Sequence, residues 1–188
     1  AVGRQAGQRA VARLGAQSLP TRRAPVLFVA EIARGLFGHF IGAISGGALY
    51  RRATFLLDHL DQPVFAPEVR ILQSPFLPRA AASTAFDHEG VATQDRVLVD
   101  AGVLRGYVLS SYSARKLKLA TTGNAGGVFN VVVPPTAGSF ESLLKTMHEG
   151  LLVTEVMGQG VNPVTGDYSR GASGFWVRNG VIDHPVQE

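Results

Sequence analysis

The 188-residue chain contains no cysteine. Disulfides and thiolate-bound metals are therefore excluded, and the composition suits a reducing cytoplasm, which is the expected location. No apolar run approaches the ~20 residues that a helix needs to cross a bilayer, and no leader-peptide pattern opens the chain, so no membrane partner is expected. Acidic residues are missing from positions 1–23, where Arg4, Arg9, Arg13, Arg22 and Arg23 give a local charge of +5. The remainder holds 13 basic against 14 acidic residues. The basic stretch has no aromatic residue either. A nucleic-acid footprint sets basic groups among aromatic or polar readers on a folded surface, so nucleic-acid binding is not expected.

What is present is 46% hydrophobic residues, 22 glycines and 10 prolines, the balance of a turn-rich globular protein. A chain this long buries about two-thirds of its unfolded surface. Residues 3–15 read as a short amphipathic helix stopped by Gly15. Pro25–Val29 is a continuous apolar run, the pattern of a buried strand, and it feeds a helix over 31–47 that the Gly46-Gly47 step should end. Strands are expected near Val69–Gln73, Arg96–Asp100, Val103–Leu109, Val128–Val133 and Leu151–Met157. Ser111–Leu119 suits a brief helix, and Ser139 caps another that runs to His148. Ala172–Arg178 and Val181–Val186 pair across Asn179-Gly180, the strongest hairpin signal in the chain. The sum is an α+β fold of about eight strands and three helices. It is mostly an antiparallel sheet or sandwich around one central glycine-containing helix.

Three kinds of site fail on spacing. A zinc helix needs its second histidine about one turn after the first. Ala92 and Thr93 stand there after His88-Glu89, and Leu152 and Val153 stand there after His148-Glu149. Gly171-Ala-Ser-Gly-Phe175 misses the last glycine of a nucleophile elbow and runs into a strand. Thr121-Thr-Gly-Asn-Ala-Gly-Gly127 has the wrong glycine spacing for a phosphate cradle, and a strand follows it, so a tight loop needing positive φ is the commoner reading.

The central helix carries Ile32, Leu36, Phe37, Phe40, Ile41 and Ile44 on one broad face, which reads as core. It also holds Gly35, Gly38 and Gly42, each costing about 1 kcal/mol relative to alanine inside a helix. Such tolerance predicts another backbone pressed close to Gly38 and Gly42, where Gly42→Leu should overpack. The segment from Gly158 to Ala172 is the other candidate. Gly158, Gly160, Gly166 and Gly171 make its backbone approachable, and Asp167, Tyr168, Ser169 and Arg170 add polar side chains. It is either an edge that takes an extended peptide by strand addition, or an internal turn whose Asp167 and Arg170 satisfy local backbone.

Taken together, the helix, the Thr121–Gly127 loop and the Leu152–Ala172 run resemble the TldD/PmbA family, within it the PmbA (TldE) branch, from about Ala24 to the C-terminus. The resemblance implies a domain at 24–188, with 1–23 as a linker helix closing a further N-terminal domain. In TldD-type members this helix carries H-E-x-x-x-H, two zinc ligands and a glutamate that activates water. The matching positions here read Ala33, Arg34 and Gly38, and His39 falls one residue late. The resemblance thus implies no catalytic residue, no metal and no cofactor on this chain. Zinc is expected on a TldD-type catalytic subunit with which it forms a heteromeric peptidase acting on unfolded or leader peptides. Residues expected to meet substrate or partner are His39, Gly158, Gly160, Asp167, Tyr168, Ser169 and Arg170. Two alternatives are a free-standing peptide-binding or scaffold protein and, from an old family label, a modulator of DNA gyrase. The charge of −1 beyond residue 23 argues against the second.

Overall fold

The computed structural model describes residues 2–136 and 138–187. In chain order the elements are α1 (Val2–Val11), β1 (Val26–Phe28), α2 (Ala30–Ala43), α3 (Gly46–Tyr50), β2 (Ile71–Gln73), β3 (Arg96–Asp100), β4 (Val103–Leu104), α4 (Ser111–Leu117), β5 (Val131–Val132), α5 (Phe140–Met147), β6 (Gly150–Met157), β7 (Gly171–Arg178) and β8 (Val181–Val186). The fold is α+β and mostly antiparallel, with five helices among the described residues where about three are expected. The chain forms two compact units, and α2 runs from one into the other.

The first unit comprises Ala1–Phe37, Ala137–Val161 and Asp167–Glu188. Its sheet has the order β1-β6-β7-β8, and among these strands β1∥β6 is the parallel pair. The β7–β8 hairpin turns on Asn179 (φ 54°) and Gly180 (φ 73°), both left-handed as a type I′ turn requires. The Ser139 side chain accepts a bond from the Ser142 amide and so starts α5, as its cap position predicts. Leu144 of α5 packs on Leu152 and Val177, with Leu27, Val29, Met147 and Phe175 around them. Gly174 lies so close to the Leu152 carbonyl that any Cβ there would collide with it. After α1 the chain is tied back at Gln17, whose N–H donates to the Pro185 carbonyl at 3.0 Å.

The second unit comprises Gly38–Thr136 and Asn162–Gly166, around a sheet of order β4-β3-β2-β5. Ala101 (φ 47°) and Gly102 (φ 76°) turn the β3–β4 hairpin. Ile44, Ile71, Leu98, Val99 and Leu104 are fully buried and form its apolar centre. Phe40, at the far end of α2, meets Phe65 edge-on with centroids 5.0 Å apart.

Three expectations about α2 are overturned. A Cβ at Gly35, Gly38 or Gly42 would meet no atom within 4 Å, so no backbone presses on them; all three are exposed. Only Phe40 and Ala43 of the helix are buried, so it is amphipathic rather than a buried core helix. The helix also ends earlier than the glycine pair suggests. Ser45 accepts from the Ala48 amide and caps α3, so Gly46 and Gly47 open a helix instead of closing one. The close approach sought along α2 is found at Gly46, where an added Cβ would sit inside the Ser113 side chain and 3.0 Å from Leu109 Cδ2.

Candidate functional site

The site expected from the sequence has two parts, the outward face of α2 and the loop between β6 and β7. Along α2, Arg34, Gly35, Gly38, His39 and Gly42 are exposed and Ala33 is half-buried. Phe40 and Ala43 are buried and Ile32, Leu36, Phe37 and Ile41 half-buried, the face that the apolar spacing selects with Ala43 added, which leaves Arg34, Gly35, Gly38, His39 and Gly42 outward. Glu31, in the first turn, has its carboxyl held below the ordinary value, first by its own backbone N–H and then by the Arg9 side chain, 3.2 Å away. The donor set does not fit a zinc centre on this helix: the three motif positions offer a methyl, a guanidinium and a bare glycine. Among the described residues no three His, Cys, Asp or Glu side chains gather as a metal site would require.

The β6–β7 loop is ordered largely by its own backbone. Val161 and Tyr168 form an antiparallel bridge, and the Ser169 amide donates to the Gly160 carbonyl at 2.6 Å. Arg170 Nη1 donates to the Gly158 carbonyl, and the guanidinium lies 5.9 Å from the Tyr168 ring centre. Gly160 is obligatory, since a Cβ would collide with the Ser169 carbonyl. At the tip the Asn162 side chain accepts from the Val164 amide at 2.9 Å, an Asx turn. Arg170 is thus engaged locally, as the internal-turn alternative holds. Gly158, Gly160, Asp167, Tyr168 and Ser169 stay exposed.

Spacing gave no hint of the buried polar network that fixes the Thr121–Gly127 loop. Asn124 is 3% exposed; its Nδ2 donates to Gln73 Oε1 at 2.6 Å and to the Gly127 carbonyl at 2.8 Å. Its Oδ1 accepts from Arg96 Nη1 at 2.9 Å and from Thr122 Oγ1 at 2.8 Å. Arg96 Nη2 donates to the Tyr107 carbonyl, and burial lowers the guanidinium pKa below its ordinary value. Asp87 holds the loop from the other side. Its carboxylate accepts from the amides of Ala125 (2.8 Å), Glu89 (2.9 Å) and Val91 (3.0 Å). Burial pushes the Asp87 pKa up, but these three donors outweigh it and the net shift is down. Gly123, Gly126 and Gly127 all have positive φ, so the tight-loop reading of this stretch holds. The one sequence signal for the Asp87 anchor is Asp87-His-Glu-Gly90, an Asx-turn pattern easily taken for half of a zinc motif.

Comparison with known proteins adds to this geometry. Residues 21–188 match the model of the PmbA/TldA metallopeptidase C-terminal domain. Over 188 residues the chain is 53% identical to the metalloprotease PmbA homolog of Haemophilus influenzae; the match covers 100% of this chain and 42% of that protein's length. The crystal structure of a candidate modulator of DNA gyrase from Bacteroides thetaiotaomicron superposes with a TM-score of 0.94 at 30% identity, covering 99% of this chain and 42% of the other. TldE from Thermococcus kodakarensis gives 0.81 at 24% identity over 97% of this chain and 44% of its own, a likeness that speaks for the fold alone.

Proposed function

Since the chain belongs to the PmbA/TldD metallopeptidase family, on its PmbA side, we propose that it serves as the zinc-free, TldE-type half of a two-subunit cytoplasmic peptidase. The observation that carries this reading is the content of α2. Where a catalytic member would place two imidazoles and a carboxylate, this helix has Ala33, Arg34 and Gly38. A TldD-type partner supplies the zinc, and with it the polarised water that peptide hydrolysis needs. No residue of this chain is assigned to that step.

The part left to this chain is to hold and orient. Gly35, Gly38 and Gly42 leave a flat strip of backbone along α2, with Arg34 and His39 beside it, on which a partner subunit or an extended peptide can lie. The β6–β7 loop, stiffened by its own hydrogen bonds, offers Gly158, Gly160, Asp167, Tyr168 and Ser169 at low ordering cost, with Arg170 as its internal brace. Metal analysis of the purified chain after dialysis tests the reading. No stoichiometric zinc is expected, and one tightly held zinc per chain would contradict it.

A further inference from the structure

Helix α1 is turned against the usual rule. Val11, its last residue, and Leu14, in the turn that follows, are 66% and 74% exposed, and no residue of the helix is buried. Gln5, Gln8 and Arg9 of the helix, with Ala12 and Arg13 of the turn after it, instead line a cleft of about 610 Å³ within the first unit. Across the cleft stand Val29, Thr154 and Phe175, with Glu31 and Glu155 at the margins. Arg9 pairs with Glu31 at 3.2 Å and Arg13 pairs with Glu155, so two ion pairs clasp the helix over the opening. An apolar helix face would have filled this space. The polar one leaves it open, at a volume within the usual range for ligand sites.

The lining selects among occupants. Its two guanidinium groups are each matched by a carboxylate, so no net field favours a phosphate or a free cation. What remains for a ligand is an apolar surface at Val29 and Phe175 and neutral hydrogen-bonding groups at Gln5, Gln8 and Thr154. Pairing with β1 stops at Val153, whose carbonyl takes the Val29 amide at 3.1 Å. Strand β6 runs on to Met157, and among the described residues no strand lies beside it on that edge. The chain turns off at Ala30 into α2, so an extended segment past that first turn would find the remaining β6 edge up to Met157 and a place for a side chain in the cleft.

We propose that this cleft binds a short extended peptide bearing a neutral, apolar side chain, laid beside β6 beyond the end of β1. The choice of a peptide rests on the peptidase-family reading; the position, the neutrality and the apolar anchor come from the cleft. The cleft meets α2 at Glu31 in its first turn, and none of Arg34, Gly35, Gly38, His39 and Gly42 lines it.

Anisotropy of the blocked, fluorescein-labelled peptide Ala-Leu-Val-Ala-Ala, titrated with the 188-residue chain, tests it. The wild type should bind saturably. Ala12→Trp, which fills the cleft, should weaken binding at least tenfold. Val11→Trp, one residue away on the exposed side, should leave it unchanged. The double variant Gln5→Ala/Gln8→Ala should weaken it several-fold without adding bulk to the helix. An Asp-Glu-Asp-Glu-Asp peptide should bind at least tenfold more weakly than the apolar one. No saturable binding by the wild type, equal loss in Ala12→Trp and Val11→Trp, or tighter binding of the acidic peptide would each overturn the proposal. Cleavage by a mixture with a TldD-type subunit is scored separately. If cleavage persists while Ala12→Trp changes nothing, the cleft is wrong and the two-subunit reading stands; if no mixture cleaves while the cleft binds peptide, the reverse holds.

Discussion

Replacing Gly38 by alanine should make the isolated chain more stable. Gly38 lies inside α2, and a methyl added there meets no atom within 4 Å. One term favours alanine. Helix propensity contributes about 0.8–1 kcal/mol, of which a part is the lower entropy of the unfolded chain. Nothing opposes it, because there is neither overpacking nor a positive φ at this residue. Gly35 has the same surroundings and should gain the same amount, while Gly42, one residue from the end of α2, should gain less. The triple variant should then gain about 2 kcal/mol, which for a chain of this size raises Tm by roughly 4–8 °C. Urea and thermal melts of the single and triple variants measure it. A loss of more than about 0.5 kcal/mol in Gly38→Ala would show that something packs on this face after all. A complex with a TldD-type subunit should respond in the opposite direction: if the strip is a docking surface, the variant that stabilises the lone chain should lower complex activity.

Other variants probe the loops and strands. Asp87→Ala strands three backbone donors, two of them beside its own turn, and should cost about 2–4 kcal/mol in a urea melt at pH 7. Because the folded carboxyl titrates below its unfolded value near 4, its contribution is complete above that value and falls away as pH drops through the folded pKa; the gap between wild type and Asp87→Ala should therefore narrow in acid. Gly174→Ala forces a methyl against the Leu152 carbonyl and should cost about 1–3 kcal/mol. Arg170→Ala removes the brace on the Gly158 carbonyl and should cost about 1 kcal/mol, whereas Asp167→Ala should lower activity of the complex with little change in the stability of the lone chain. An Asp167→Ala effect seen only in stability would mark this loop as a turn without a binding role.

Features set by neighbours in the chain could be read from sequence. The Asn179-Gly180 hairpin and the Ser139 cap are such features, because turn and cap chemistry act over two to four residues. The apolar spacing of α2 likewise identified a helix and its inward face. What spacing could not convey is what lies over the other face. Three glycines there suggested a close backbone, but a glycine tolerated for want of any neighbour has the same one-letter signature as one demanded by contact. Gly46 is the demanded one, and Ser113, 67 positions later, is what demands it. The Gln73–Asn124 pair and the Asp87–Ala125 bond span 51 and 38 positions, distances over which no local pattern carries information. The cleft under α1 escaped notice for a related reason, since an amphipathic helix is assumed to turn its apolar side inward.

The central claim, that this chain is the half without the catalytic metal, is tested most directly by reconstitution. Cleavage of an unstructured peptide is followed for the chain alone, for a TldD-type subunit alone, and for the mixture, each with and without a chelator. Activity should require the mixture, vanish with the chelator, and vanish when the glutamate of the partner's H-E-x-x-x-H motif is changed to glutamine. Robust, chelator-resistant cleavage by this chain alone would contradict the account and point to a nucleophile among its own residues.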